Sequence, residues 1–526
     1  MAVLVGGQSP VSGPLIVPQP QQMTFGTQTL QLNPLKFQIY CPSKSPVLAS
    51  AIKRYSDLFF LYGNGAPSTA PAAILNIKVI SNSDSLYLGV SENHTISLVA
   101  AYSLLITADT VYGAIRALET VSQIIQYDFV TQRYTIPNTP ISITDYPRFP
   151  WRGIMIDTAR HFVPASYLMH TIDALAANKM NTLHWHITDG QSFPASSVTY
   201  PNLTMGAWAP EAVFSVDDIK EVVAYGKSLG VRVVPEFDIP SHTYSWAAAF
   251  PTIMANCPDY TYSYGQLPMS IANYLTYEVI TNLFTEMSGY FLDTYFHTGG
   301  DEVPYGCWKE DPQVAEWMNL NGYTPTLAEQ FFEDQVTSIL AKVNRTKIVW
   351  NDPFVDGVKL DPSTLIQVWD SSFQDIVNAG FEVIVSFDYY LDEQVPTGNL
   401  HWMFEDTWSD FYAADPYNGI TSNTNKILGG EACMWSEQVN HLSMDVRVWP
   451  RAIGVAERLW SAQTQTDVNN ALTRIGPQTC RMSQRGIASG PLFPDFCMLP
   501  DDFESYLQQP RMRLSKEQIN TFLNNN

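Results

Sequence analysis

Tyr295-Phe296-His297-Thr298-Gly299-Gly300-Asp301-Glu302-Val303 is the stretch from which the rest of the chain can be ordered. A short apolar, β-prone run ends in two glycines and then two adjacent carboxylates, the pattern of a buried strand that opens onto a loop. With no Cβ at Gly299 or Gly300 the backbone can turn tightly, so Asp301 and Glu302 need not point to opposite faces as consecutive strand residues do. Both can then face one cavity. Carboxylates that close do not ionise independently, and the later proton is held to higher pH, which is the condition for a general acid near neutral pH. A solvated or backbone-bonded Asp-Glu turn is the plainer alternative, and the surroundings decide between the two.

Outward from that stretch, strands alternate with helices. Strand candidates run from Gly153 to Asp157, Asn181 to Ile187, Val231 to Phe237, Thr294 to Thr298, Lys347 to Trp350, Leu365 to Trp369, Val383 to Phe387 and Lys426 to Trp435, eight in all. Helices are expected at Ser166 to Asn178, Val216 to Leu229, Leu327 to Val343 and Pro450 to Ser461. This is an α/β pattern, and its count and alternation predict a (β/α)8 TIM barrel with its active site at the C-terminal ends of the strands. Residues 1–148 read instead as a small α+β domain, and residues 149–526 as the barrel with a C-terminal extension. Short strands at Ile74 to Ile80, Tyr87 to Val90 and Ser97 to Ala100 accompany one amphipathic helix, Thr110 to Tyr127. The proline-punctuated stretches at 136–140 and 146–150 read as linker, and Asp109 and Glu119 as cap or helix-surface charges.

At 526 residues the chain exceeds what one hydrophobic core usually organises, which agrees with two domains. Its net charge of −22 argues against nucleic acid or an anionic membrane as the main partner. No apolar run is long enough for a membrane span. Met1 to Val5 has neither the basic start nor the length of a leader, so the expected form is a mature one. Asn93-His94-Thr95, Asn202-Leu203-Thr204 and Asn344-Arg345-Thr346 fit the glycosylation acceptor pattern and lean toward an extracytoplasmic protein.

If the barrel holds, residues just past each strand should share a chemistry. They are Asp157 and Arg160, then His186 and Asp189, then Glu236, Asp238 and His242, then Asp301 and Glu302, followed by Trp350, Trp369, Tyr390 with Asp392, and Trp435 with Glu437. Tryptophan faces stack on the apolar faces of sugar rings, while carboxylates and guanidinium groups take hydroxyls by charge-assisted bonds. A saccharide is therefore the expected ligand. His184 and His186 on one strand face offer a rival, a metal hydrolase with His242 and His297 as further ligands. The reading adopted has no metal and no cofactor, with these histidines as buried bases bonded to neighbouring acids.

These residues resemble the β-N-acetylhexosaminidases of glycoside hydrolase family 20, most closely the lysosomal type. The likeness is carried by Asp157-Thr158-Ala159-Arg160-His161-Phe162, residues 178–186, Asp189 with Ser192-Phe193-Pro194, Pro235-Glu236-Phe237-Asp238, residues 297–302, residues 429–437, Trp449-Pro450-Arg451-Ala452 and residues 456–461, with a shorter match at 111–120. The resemblance implies an exo-acting enzyme that cleaves terminal β-linked GlcNAc or GalNAc, in which the substrate's own 2-acetamido oxygen is the nucleophile. Carried over by position, Glu302 is the acid/base and Asp301 orients the acetamido N–H. Tyr390 bonds the acetamido oxygen, Trp350, Trp369 and Trp435 wall that group in, Arg160 and Glu437 hold sugar hydroxyls, and Asp189 and His242 tune Glu302. Two positions depart from the family pattern: Gly190 stands where an Asp is frequent, and Ser241 where Pro-Gly-His is usual. Asp392-Glu393 replaces the neutral-basic pair of the subunit type that accepts anionic substrates, which favours neutral sugars. The resemblance also implies disulfides Cys257–Cys307 and Cys480–Cys497, free Cys41 and Cys433, a homodimer, and a lysosomal or secreted destination. A carbohydrate-recognition protein with impaired catalysis on the same fold is the alternative.

Overall fold

The computed structural model describes residues 13–260, 265–370, 373–392, 407–494, 496–498 and 514–524. The N-terminal part is a mixed sheet of β1 (Gln22–Gln31), β2 (Gln38–Tyr40), β3 (Ile74–Val79), β4 (His94–Ala100), β5 (Ser103–Ala108), β6 (Gln126–Asp128) and β7 (Arg133–Asp145), in the order β1-β7-β4-β5-β3-β2 with β6 beside β7. Helices Pro46–Leu58 and Val111–Ile124 accompany it. The second starts where Thr110 caps the Tyr112 and Gly113 N–H groups, and it is buried on every side because the sheet covers one face and the barrel the other. Arg116 reaches across to the Gly230 carbonyl at 2.7 Å, and Glu92 takes both Arg116 and the barrel's Arg152 at 2.6 and 2.5 Å.

Four expectations fail in this part, the first being a single helix running to Tyr127, since Pro46–Leu58 is a second helix and Gln126–Asp128 is β6. Tyr87 to Val90 is a turn, because Gly89 sits at φ +83° and the Val90 N–H closes back on the Tyr87 carbonyl at 3.1 Å. The proline-bearing stretch 136–140 belongs to β7, the prolines being tolerated where the ladder with β1 slips between Leu30↔Ile136 and Gln28↔Thr139. Glu119 is buried, not on a helix surface: it accepts from Tyr55 Oη at 3.0 Å and Arg485 at 2.9 Å.

The barrel is closed and parallel, from β8 (Trp151–Asp157), β9 (Thr182–Thr188), β10 (Arg232–Phe237), β11 (Tyr295–His297), β12 (Thr346–Trp350), β13 (Leu365–Val368) and β14 (Glu382–Val385) to β15 (Ile427–Met434), which returns to β8. Helix Val216–Leu229 has the bounds its sequence predicts: Ser215 and Asp218 form a capping box and Gly230, at φ +73°, stops it. Trp151, Val234, Ile348, Leu365 and Ile384 plug the lower end, so the interior is a packed column and not a pore. Above them lies a polar layer. Glu431 takes His184, Trp151 and Gln367 at 2.6 to 2.8 Å, and Glu236 takes His186 at 2.5 Å and His184 and His297 at 3.0 Å. The buried charge is thereby paired within the column, and one lost partner would strand the others.

Cys257–Cys307 and Cys480–Cys497 are disulfides, while Cys41 and Cys433 are free. Asn93, Asn202 and Asn344 are all exposed. No helix among the described residues is long and apolar enough to cross a membrane.

Candidate active site

Consecutive strand ends bring the expected residues to one mouth. Gly299 and Gly300 take φ +69° and +93°, and the Gly300 N–H reaches Asp238 Oδ1 at 3.3 Å. A Cβ on Gly299 would lie 1.7 Å from Asp238 Oδ1, so this turn exists only with glycine. Beyond it Asp301 and Glu302 face the same imidazole: His242 Nε2 lies 3.7 Å from Asp301 Oδ2 and 3.3 Å from Glu302 Oε2. Gly299→Ala should therefore cost about 3 kcal/mol or more, read as a lowered urea midpoint. An unchanged midpoint would show the turn to be adaptable.

Burial separates the two acids. Asp301 is nearly enclosed, with its carboxyl pushed up to about 7 by desolvation, against the pull of His242 and helped by Asp352, Glu236 and Glu302. The Glu302 side chain is about half exposed, and hydrogen bonding from His242 holds it below its ordinary value. The elevated proton affinity of the pair thus sits on Asp301 in the free protein. His242 is held charged because Asp189, 3.2 Å from its Nδ1, and Asp301 outweigh burial. Asp189 also binds Arg160 at 2.7 Å and His186 at 3.1 Å. Arg160 in turn lies over the Trp435 ring at 4.8 Å and 3.9 Å from the half-exposed Glu437.

Beside the acids Trp369, Tyr390 and Trp435, all partly exposed, pack on a buried layer of Met155, Trp350 and Cys433. Trp350 and Trp435 are 5.8 Å apart, and Glu236 fixes the Trp350 indole at 2.9 Å. Trp435 hydrogen-bonds Tyr390, whose phenol is raised by burial, then by Cys433 and Asp392. Asp392 is half-buried two residues on; Glu393 lies outside the described residues.

Three residues in the site escaped the sequence reading. Asp352 accepts from the Glu302 N–H at 3.1 Å and the Trp369 indole at 2.7 Å; its signal was its place two residues past a strand-end tryptophan. Gln191 accepts from Arg160 Nε at 3.2 Å, and Gln266 donates to Glu302. Neither carries a pattern that would mark it. Metal-type donors also converge, in His184-Glu236-His297, His186-Asp189-Asp238 and Asp238-His242-Asp301. In the first group His184 Nε2 and His297 Nδ1 each lie 3.0 Å from Glu236.

Paired acids beside aromatic walls, at the C-terminal mouth of a parallel barrel, place the chain in the class of barrel glycosidases. Residues 149–463 match the catalytic domain of glycosyl hydrolase family 20, and residues 16–124 a β-acetyl-hexosaminidase-like domain. The β-hexosaminidase subunit A1 of Dictyostelium discoideum is 47% identical, covering 100% of this chain and 98% of its own. The human β-hexosaminidase subunit beta is 34% identical, covering 92% and 90%. A chitobiase structure from Flavobacterium johnsoniae superposes with a TM-score of 0.79 at 27% identity, covering 90% of this chain and 73% of that one. The chain belongs to glycosyl hydrolase family 20.

Proposed function

We propose that the chain is an exo-acting, retaining β-N-acetylhexosaminidase whose substrate supplies the nucleophile. The observation that carries this reading is one imidazole, that of His242, shared by Asp301 and Glu302 beside the partly exposed aromatic cluster of Trp369, Tyr390 and Trp435, which packs on the buried Trp350. An acetyl group is small, flat and apolar at its methyl end, which suits such walls, with Tyr390 to bond its oxygen. Asp301 takes the acetamido N–H and balances the charge that grows on it as the acetamido oxygen attacks C1. Glu302 protonates the leaving oxygen and then draws a proton from water. Arg160, held by Asp189, grips the sugar's hydroxyls together with Glu437.

The inverted proton affinities fit this division of labour. In the free protein the pair's later proton belongs to Asp301, but an amide N–H donated to Asp301 favours its anion, while a bound leaving group shields Glu302 from water. Substrate binding therefore moves the proton to the group that must donate it. The pair acts as one titrating unit.

The test is turnover of 4-nitrophenyl N-acetyl-β-glucosaminide and its galactosaminide analogue, with the β-anomer as first product by proton NMR. The matching β-glucoside, which lacks the acetamido nucleophile, should be inert. Binding without turnover of either N-acetyl substrate would favour a recognition protein instead. Two disulfides and three exposed sequons support an oxidising destination, which we assign as lysosomal or secreted. Relatives described as subunits support an assembly of more than one chain, which we assign as a homodimer, checked by light scattering.

A further inference from the structure

Resting on that function, we infer that Gln266 is a positioning residue whose side-chain amide holds one oxygen of the Glu302 carboxylate, so that the other oxygen carries the transferred proton. Gln266 Nε2 donates to Glu302 Oε2, and His242 Nε2 lies 3.3 Å from the same atom. An oxygen that accepts from the Gln266 amide and faces the His242 imidazolium is a poor place for a proton, so the proton belongs on Oε1.

Gln266 lies on a loop whose described ends are fastened to their neighbours. Met254 and Met269 bridge its two legs, and the Ala255 N–H meets the Pro268 carbonyl at 3.0 Å. The Cys257–Cys307 disulfide ties it to the segment that follows Glu302. Thr243, next to His242, donates its hydroxyl to the Leu267 carbonyl at 2.7 Å.

Two further residues, Gly190 and Ser241, touch this loop. A Cβ at Gly190 would lie 2.1 Å from Gly265 Cα, so a side chain there would evict the loop from its path. The Ser241 hydroxyl lies 3.3 Å from the Gln266 carbonyl and 3.4 Å from that of Glu302, where glycine offers no donor. The two contacts have one structural result in common, the placing of Gln266 against the acid.

The charged groups facing Glu302 are His242, Asp301 and Arg160, with Asp352 on its backbone N–H. His242 is held charged well above its usual range and does not titrate where Glu302 does. A neutral amide donor then stabilises the Glu302 anion relative to the acid, and removing it raises the carboxyl's proton affinity.

The experiment uses the full chain with Gln266→Met, which keeps length without a donor, and Gln266→Glu, which opposes a second carboxylate to the acid. In Gln266→Met the limb of the pH profile that titrates the Asp301–Glu302 pair should move up by about half a unit to one unit. Gln266→Glu should move it further. The kcat/KM for chitobiose, whose leaving sugar needs the proton, should fall about tenfold, while a 2,4-dinitrophenyl glycoside stays within about threefold. Folded variants with unmoved limbs and equal losses on both substrates would overturn the inference, because a merely structural glutamine does that. If neither variant folds, Ser241→Gly must move the same limb upward, and no movement overturns the inference. Wild-type inactivity on both substrates would overturn the proposed function itself; an active wild type with unmoved variants overturns this inference alone.

Discussion

Asp301→Asn should lower kcat on 4-nitrophenyl N-acetyl-β-glucosaminide by about 10³-fold and yet make the protein harder to unfold above neutral pH. The loss follows from the proposed mechanism, since asparagine can still touch the acetamido group but supplies no charge to balance the one forming on it. The gain follows from burial. A carboxyl at 3.8 in the unfolded chain and about 7 in the fold is protonated in both states at pH 3 and adds nothing there. As pH rises from 3.8 to about 7 the unfolded state sheds its proton first, so this group progressively weakens the fold; above 7 the penalty is complete and constant. Asparagine, neutral throughout, escapes it. Thermal midpoints of variant and parent should coincide near pH 3.5 and separate at pH 8, the variant higher, for an effect of a few kcal/mol. Equal midpoints at pH 8 would show that Asp301 is not held away from its charged form.

The barrel was legible because its strands are buried runs separated by helices with ordinary caps, as in Ser215 to Gly230. Where local text and tertiary pairing disagreed, pairing won: Pro137 and Pro140 lie in β7 because the β1–β7 ladder bulges there, and Glu119 is buried because Arg485 comes to it from more than three hundred residues away. No periodicity encodes a partner that distant. In the site, residues at strand ends were readable because the fold itself sends strand ends to one mouth. Asp301 and Glu302 announced their shared orientation through the glycines before them. Gln266 could not be found that way: it lies on a loop, and the groups that meet that loop, a disulfide, Ser241 and Gly190, are scattered along the chain. The direction of the proton affinities was equally hidden, because two adjacent acids differ only in what buries them.

Glu302→Gln isolates the proton from the shape. Glutamine matches the length of glutamate, and its carbonyl can accept from Gln266 and face His242 as Oε2 does now. Since the side chain is about half exposed, the unfolding midpoint should stay close to that of the parent. Chemistry should not. For chitobiose, whose leaving oxygen must be protonated, kcat/KM should fall by about 10⁴-fold. A 2,4-dinitrophenyl glycoside leaves without help, so its first step should survive largely intact, with Asp301 and the acetamido group still in place. Water must then open the oxazolinium ring with no base to take its proton, and that step slows. The two effects together predict a burst of dinitrophenolate equal to the enzyme concentration, followed by a slow steady rate, as stopped-flow absorbance would record. Equal losses on both substrates, with no burst, would remove Glu302 from proton transfer, because only an acid/base residue makes its own importance depend on the basicity of the departing group.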